Sequence, residues 1–209
     1  MRLLLIPARA EFVERGSKFV AFAHPAATPA EALAVRDAER SRHHDATHHV
    51  FAVRLADGEF RYDDDGEPAG TGGRPVLSEL EARELVDTAV VVTRWFGGTK
   101  LGTGGLARAY GAAAGLALER ARTRRVVRGE IRYIAYEFGD IGAVARVLDQ
   151  GAGLRGPDAY GPGPGVRTEV RVERGRAVEL DGRLRDATAG RVGLEPDEEP
   201  DLCWITAST

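Results

Sequence analysis

The chain has 209 residues, 43% of them hydrophobic and 29% charged, with a net charge of −3. That length suits one large or two small domains, the composition is globular rather than disordered, and the charge excludes a uniformly basic polyanion binder. The single cysteine, Cys203, excludes an intrachain disulfide and any metal cage built from thiolates.

The N-terminal apolar run is cut by Pro7 and Arg9, too early for a signal-peptide core. No stretch approaches the ~20 apolar residues of a membrane helix. The expectation is a cytoplasmic protein with no membrane partner. Lys18–His24 (KFVAFAH) reads as a strand, ended by Pro25. Thr28, Pro29 and Glu31 form a helix start, a capping hydroxyl followed by proline and an acid, and the helix runs to about Arg40. His49–Leu55 alternates as a strand, Asp57-Gly58 is a hairpin turn, and Glu59–Tyr62 returns. A polar loop leads to a helix that starts at Pro75 and covers VLSELEARELV. Thr88–Phe96 (TAVVVTRWF) is a β-branched run expected to be buried on both faces. A second glycine-rich loop, 97–105, precedes an alanine-rich helix over 106–122, in which Gly111 and Gly115 would let the helix lie close to the sheet.

Thr123–Gly129 is the expected domain boundary, dividing 1–125 from 126–209. The first part carries 18 Lys and Arg against 17 Asp and Glu, the second 11 against 15, so neither half is an evident polyanion binder. The basic run R120ARTRRVVR128 reads first as a solvated helix end and linker. In the second part a strand (Glu130–Phe138), a helix (Gly139–Gln150), a strand (Leu154–Tyr160), a turn at 161–165, a strand (Val166–Glu173), a helix (Arg174–Ala187) and a strand (Gly190–Leu194) give β-α-β-β-α-β. That is the ferredoxin-like order. The acidic tail is expected to be loose apart from Leu202 and Trp204. The fold class is α+β.

Two loops and one histidine cluster carry the chemistry. Residues 63–75, DDDGEPAGTGGRP, hold four acids, four glycines and two prolines. Glycine amides there could wrap an anion; Asp64, Asp65 and Glu67 could hold a hard divalent cation; or the acids cap the helix at Pro75. The second loop, F96GGTKLGTGGLARAYG111, follows a strand and opens a helix, whose free N–H groups attract anions. Arg94 and Lys100 are suited to phosphate. Neither the Walker nor the dinucleotide pattern is present, although LGTGGLA resembles the loop of the GHMP small-molecule kinases. R42HHDATHHV50 spaces His44 from His48, and Asp45 from His49, as a helical zinc site would. The run enters a strand, where that spacing lapses, so a loop with one internally bonded histidine is the plainer reading and no metal or cofactor is assigned. No catalytic residue is assigned, and no nucleophile elbow exists. The candidate ligand-binding residues are Asp64, Asp65, Gly66, Glu67, Gly70, Thr71, Arg74, Arg94, Gly97, Gly98, Lys100, Gly102, Gly104, Gly105, Arg108 and His48.

A46THHVFAVR54, D64DGEPAGTGGRPVL77 and V91VTRWFGGTKLGTGGLARAYG111 together resemble the YigZ/IMPACT family in order and spacing, and S17KFVAFA23 is similar to its opening strand. The resemblance covers residues 10–120 strongly and the remainder more loosely. It implies a first domain similar to the second domain of small-subunit ribosomal protein five and a ferredoxin-like second domain similar to the fifth domain of elongation factor G. The pair of glycine loops, with Arg74, Arg94, Lys100 and Arg108 as phosphate contacts, on a fold resembling translation-factor domains, leads to the expectation of a non-enzymatic protein that binds RNA or the ribosome, or regulates translation. The competing expectation is a nucleotide- or phosphate-binding protein, or a metal-dependent phosphoryl-transfer or hydrolytic enzyme, built on the same two loops. The sequence sets no oligomeric state.

Overall fold

A computed structural model describes residues 1–160, 165–197 and 200–206. The fold is α+β and divides into two compact units, Met1–Arg125 and Val126–Thr209.

The first unit is organised around β7 (Thr88–Trp95), where the unbroken β-branched run becomes a central strand buried on both faces. An antiparallel sheet surrounds it in the order β2 (Ala8–Glu14), β3 (Ser17–Pro25), β7, β4 (His48–Arg54), β5 (Phe60–Asp63). The side chains alternate across it. Val90 and Val92 enter one core with Val76, Leu77 and Leu80 of α2 (Gly73–Ala82) and with Leu106, Ala109 and Tyr110 of α3 (Gly102–Glu119). Ala89 and Val91 enter the opposite core with Phe51 and with Ala32 of α1 (Pro29–Arg42). Thr28 caps α1, its hydroxyl accepting from the Glu31 amide at 3.2 Å.

Several boundaries differ from the sequence reading, each for a physical reason. The helix expected through Val86 stops at Ala82, because Leu85–Val86 pairs as the short strand β6 with β1 (Arg2–Leu4), a long-range partner invisible to local pattern. α3 starts at Gly102 rather than Leu106, so the second glycine loop ends inside the helix's first turn. In α3 it is Ala109, Ala113, Ala114 and Ala117 that pack into the sheet-facing core. Gly111 and Gly115 turn instead toward α2, where a Cβ on Gly115 would lie 3.1 Å from Glu79 Oε2.

Thr123–Gly129 is no irregular linker but the start of a long strand, β8 (Thr123–Glu137); its first three residues belong to the first unit and pair there with β1, and the rest belongs to the second unit. The remaining elements are α4 (Ile141–Val147), β9 (Leu154–Tyr160), β10 (Gly165–Glu173), α5 (Ala177–Ala187) and β11 (Leu202–Thr206). β11 pairs with β8, β8 with β10 and β10 with β9, all antiparallel, giving the spatial order of a ferredoxin-like sheet. The last strand is therefore Leu202–Thr206, not Gly190–Leu194, where only an isolated bridge joins Leu194 to Ile134. The apolar alternation of LCWIT lies within an acidic tail whose composition masked it. The core comprises Ile134, Val144, Val170, Leu180 and Leu184 among others. Most of the turn expected at 161–165 lies outside the described residues.

One contact fixes the second glycine loop to the sheet. A Cβ on Gly97 would fall 1.9 Å from the carbonyl carbon of Gly16, in the β2–β3 turn, and 2.3 Å from the Ser17 amide nitrogen. Backbone, not a flexible side-chain end, stands in the way. Gly97→Ala is expected to lower stability by about 2–3 kcal/mol through this overpacking, read as a shift in the urea midpoint at unchanged slope; a loss below about 0.5 kcal/mol would show that the turn yields freely.

Candidate functional site

Loop 63–75 folds around its own acids. The Asp64 carboxylate accepts from the backbone N–H of Gly70 at 2.7 Å, Gly72 at 2.9 Å and Gly73 at 2.8 Å. The anion wrapped by these glycine amides is the chain's own side chain, which caps the start of α2. Burial pushes its carboxyl upward, but the three amides outweigh this and hold it below the usual carboxylate range. Gly73 allows the fit, since a Cβ there would lie 2.9 Å from the backbone of Asp63. Thr71 is buried and closes a turn, its hydroxyl donating to the Pro68 carbonyl at 2.6 Å. Gly66 and Gly70 are exposed.

Asp65 is ion-paired with Arg40 of α1 and accepts from the His49 amide at 2.6 Å. His48 Nδ1–H donates to the Asp65 carbonyl at 2.8 Å. His49, the next residue on β4, faces the other way. Burial lowers its pKa, and its Nε2–H donates to the His43 carbonyl at 3.1 Å. The histidine run thus serves as strand and loop scaffold. Among the described residues no three His, Cys, Asp or Glu side chains are grouped to hold a metal ion.

Glu67 and Arg94 bring the two glycine-rich segments together. They form an ion pair with side chains 5% and 6% exposed. The Tyr110 hydroxyl of α3 donates to the same carboxylate oxygen, Glu67 Oε1, at 2.7 Å, and His48 Nε2 lies 3.7 Å from it. Burial first, and then the bond to Glu67, pushes the Tyr110 phenol far above its ordinary value, so it stays a donor. Arg94 also reaches the Ser17 hydroxyl at 3.3 Å, and its guanidinium lies 5.6 Å from the rings of both Phe19 and Phe96. The same Ser17 hydroxyl accepts from the Gly97 amide at 3.2 Å. Arg94, expected as a direct phosphate contact, is spent inside the protein. The sequence reading missed Tyr110, Ser17 and Arg40; Tyr110 carried a signal, as a large polar-tipped residue within an otherwise small-residue helix.

The second loop presents a different surface. Gly97, Gly98 and Lys100 are exposed, as are Gly102 and Gly104 in the first turn of α3, and Gly105 is half-buried. The start of α3 has no side-chain cap and no acid in its first turn, so its N–H groups face solvent uncompensated. Lys100 and Arg108 are exposed, without a hydrogen-bond or ion-pair partner among the described residues. Arg74, on α2, is exposed and loosely paired with Glu81 at 3.3 Å. A larger hollow of about 700 Å³ lies in the second unit, but it holds none of the predicted residues; of its charged lining, Asp140 and Arg191 pair with each other at 2.7 Å and Arg167 pairs with Glu195 at 2.6 Å.

Two stability measurements test this wiring. Asp64→Ala is expected to cost about 1–2 kcal/mol at pH 7. Because the folded carboxyl lies below its ordinary value, that stabilisation is complete above ~pH 4 and fades as pH falls through the folded value; urea melts at pH 7 and pH 3 should show the gap closing. Glu67→Ala strands a buried guanidinium and should cost about 3–5 kcal/mol, whereas Tyr110→Phe removes one hydrogen bond and should cost about 1 kcal/mol. Equal losses would contradict an ion pair as the dominant contact.

The family model for the Impact N-terminal domain matches residues 15–118, a span containing both glycine-rich segments. The chain is 39% identical over 183 residues to the Thermus thermophilus IMPACT family member in pol 5'region, covering 86% of this chain and 97% of that one. It is 32% identical over 172 residues to the Escherichia coli IMPACT family member YigZ, covering 80% and 83%. A solved structure of a hypothetical protein superposes with a TM-score of 0.63 at 28% identity, covering 95% of this chain and 98% of the other. With both glycine segments inside the matched span and nearly the whole length of the Thermus relative aligned, the chain belongs to the IMPACT family.

Proposed function

We propose that the chain is a non-enzymatic RNA-binding protein, ribosomal RNA included, that grips the phosphate backbone at the start of α3. The observation that carries this reading is the contrast between the two loops. Every acid of the first is already engaged: Asp63 by the Asp65 amide, Asp64 by three amides, Asp65 by Arg40, Glu67 by Arg94 and Tyr110. The second loop carries an acid-free helix start beside exposed Lys100 and Arg108. Helix N–H groups and unpaired cations are what a phosphate diester needs. The metal-dependent alternative gains no support, since its carboxylate ligands are occupied. The overall charge of −3 limits indiscriminate binding and leaves the contact local.

Filter binding of a single-stranded RNA across a salt series tests the reading. Affinity should fall with salt, with a slope of about 0.7 per phosphate neutralised. Lys100→Ala and Arg108→Ala should each weaken binding across sequences and reduce that slope by about one contact, while Arg74→Ala changes it less. Unchanged affinity and slope in both the Lys100 and Arg108 variants would remove the second loop from the function.

A further inference from the structure

A second feature lies beside the start of α3 and is not explained by phosphate contact. The β2–β3 hairpin turns through Arg15 and Gly16, both with positive φ (46° and 80°), the two-residue geometry that tightly reverses a strand. Between this turn and α3 lies a hollow of about 240 Å³. Its apolar lining is Phe12 of β2, Leu101, buried Ala109 and, at its open side, exposed Ala112 of α3. Phe12 is held by Phe19 beneath it, with ring centroids 6.2 Å apart. The rim is charged by Glu14, Arg15 and Arg108. The volume lies below the ~300–1,000 Å³ of drug-sized sites and suits one planar heterocycle.

The rim charges are available. Arg108 has no partner among the described residues. Glu14 and Arg15 make only a loose contact of 3.7 Å with each other, with side chains 43% and 65% exposed. A carboxylate accepts and cannot donate, while two guanidinium groups donate and cannot accept. Guanine matches both: N1–H and the 2-amino group are adjacent donors for a carboxylate, and O6 and N7 are acceptors for arginine. Adenine offers a carboxylate one donor beside a ring acceptor, which repels it. An aromatic floor with arginine planes at the rim is a setting in which an unstacked base of single-stranded RNA is bound.

We infer that the hollow between the β2–β3 turn and α3 is a pocket for a single unstacked guanine base, read by Glu14 and seated against Phe12. The inference rests on the RNA-binding reading above for the polymer that delivers the base, and adds sequence preference to it. Arg108 belongs to both contacts, at the edge of the base and near the backbone.

Guanosine, which carries no phosphate, separates the two claims. In amide-correlation spectra of the full chain, guanosine should shift the Gly105, Ala109 and Ala112 signals, and adenosine should bind at least tenfold more weakly. Glu14→Gln should bring the guanosine affinity to within about twofold of the adenosine affinity. Ala112→Leu, a substitution at an exposed helical site that fills the hollow, should abolish the guanosine shifts while binding of an abasic ribose-phosphate oligomer stays within twofold; circular dichroism checks that it folds. Silence of these amides toward guanosine, or equal response to both nucleosides, overturns the base pocket even if RNA binds. Failure of the abasic oligomer to bind overturns the phosphate reading, and the pocket is still judged on guanosine.

Discussion

The ion pair between Glu67 and Arg94 is the contact on which the first unit's architecture converges. It lies where three chain segments separated by tens of residues meet: the first glycine loop, the end of β7, and α3 through Tyr110. Removing two charges from water costs several kcal/mol per ion, so such a pair persists only with good geometry and further hydrogen bonds. Those are supplied by the Tyr110 and Ser17 hydroxyls, and two aromatic rings lie near the guanidinium. The pair contributes position more than net stability. Once Arg94 is fixed, the backbone that follows it must pass over the β2–β3 turn, and only a glycine at 97 clears Gly16.

This arrangement explains why glycine-rich sequence on both sides of the pair has opposite roles. In the first loop the amides turn inward onto Asp64, so the segment satisfies itself. In the second, the first turn of α3 contains no acid and no side chain caps it, and the same kind of amide is left toward solvent. Composition alone cannot distinguish these two outcomes. It counts donors and acids but does not say which acid reaches which donor.

Much of the fold was legible in the sequence because its signals are local. The β-branched run of β7, the Thr28 cap of α1 and the alternation of β10 each specify an element from within ten residues. The misreadings are non-local. Leu85–Val86 is a strand only because β1 lies beside it, and Leu202–Thr206 is one only because β8 offers an edge. The candidate site divides in the same way. Lys100 and Arg108 keep the exposure that their loop and helix surface implied, whereas Arg94, in a strand whose neighbours alternate between two cores, was placed by β7's periodicity among buried residues. The expectation that Thr88–Phe96 is buried on both faces already placed residue 94 in the interior, in conflict with its assignment to phosphate.

The hollow under the β2–β3 turn was illegible for a further reason: Leu101, Gly105 and Arg108 come from the second glycine-rich segment, but the wall facing them, Phe12, Glu14 and Arg15, belongs to no recognisable motif for ligand chemistry. Phe12 and Glu14 lie in an ordinary alternating strand, and Ala109 and Ala112 in an ordinary helix. The concavity arises from small side chains on α3 opposite a large one on β2, with a tight turn closing one end. The small residues that bring α3 close to the sheet are continuous with those that leave this gap at its N-terminal end. A helix packed closely along most of its length, beside a hairpin whose turn is pinned by Gly97, leaves space where the two diverge. Close packing and the hollow beside it therefore share one cause in this unit, the small residues of α3.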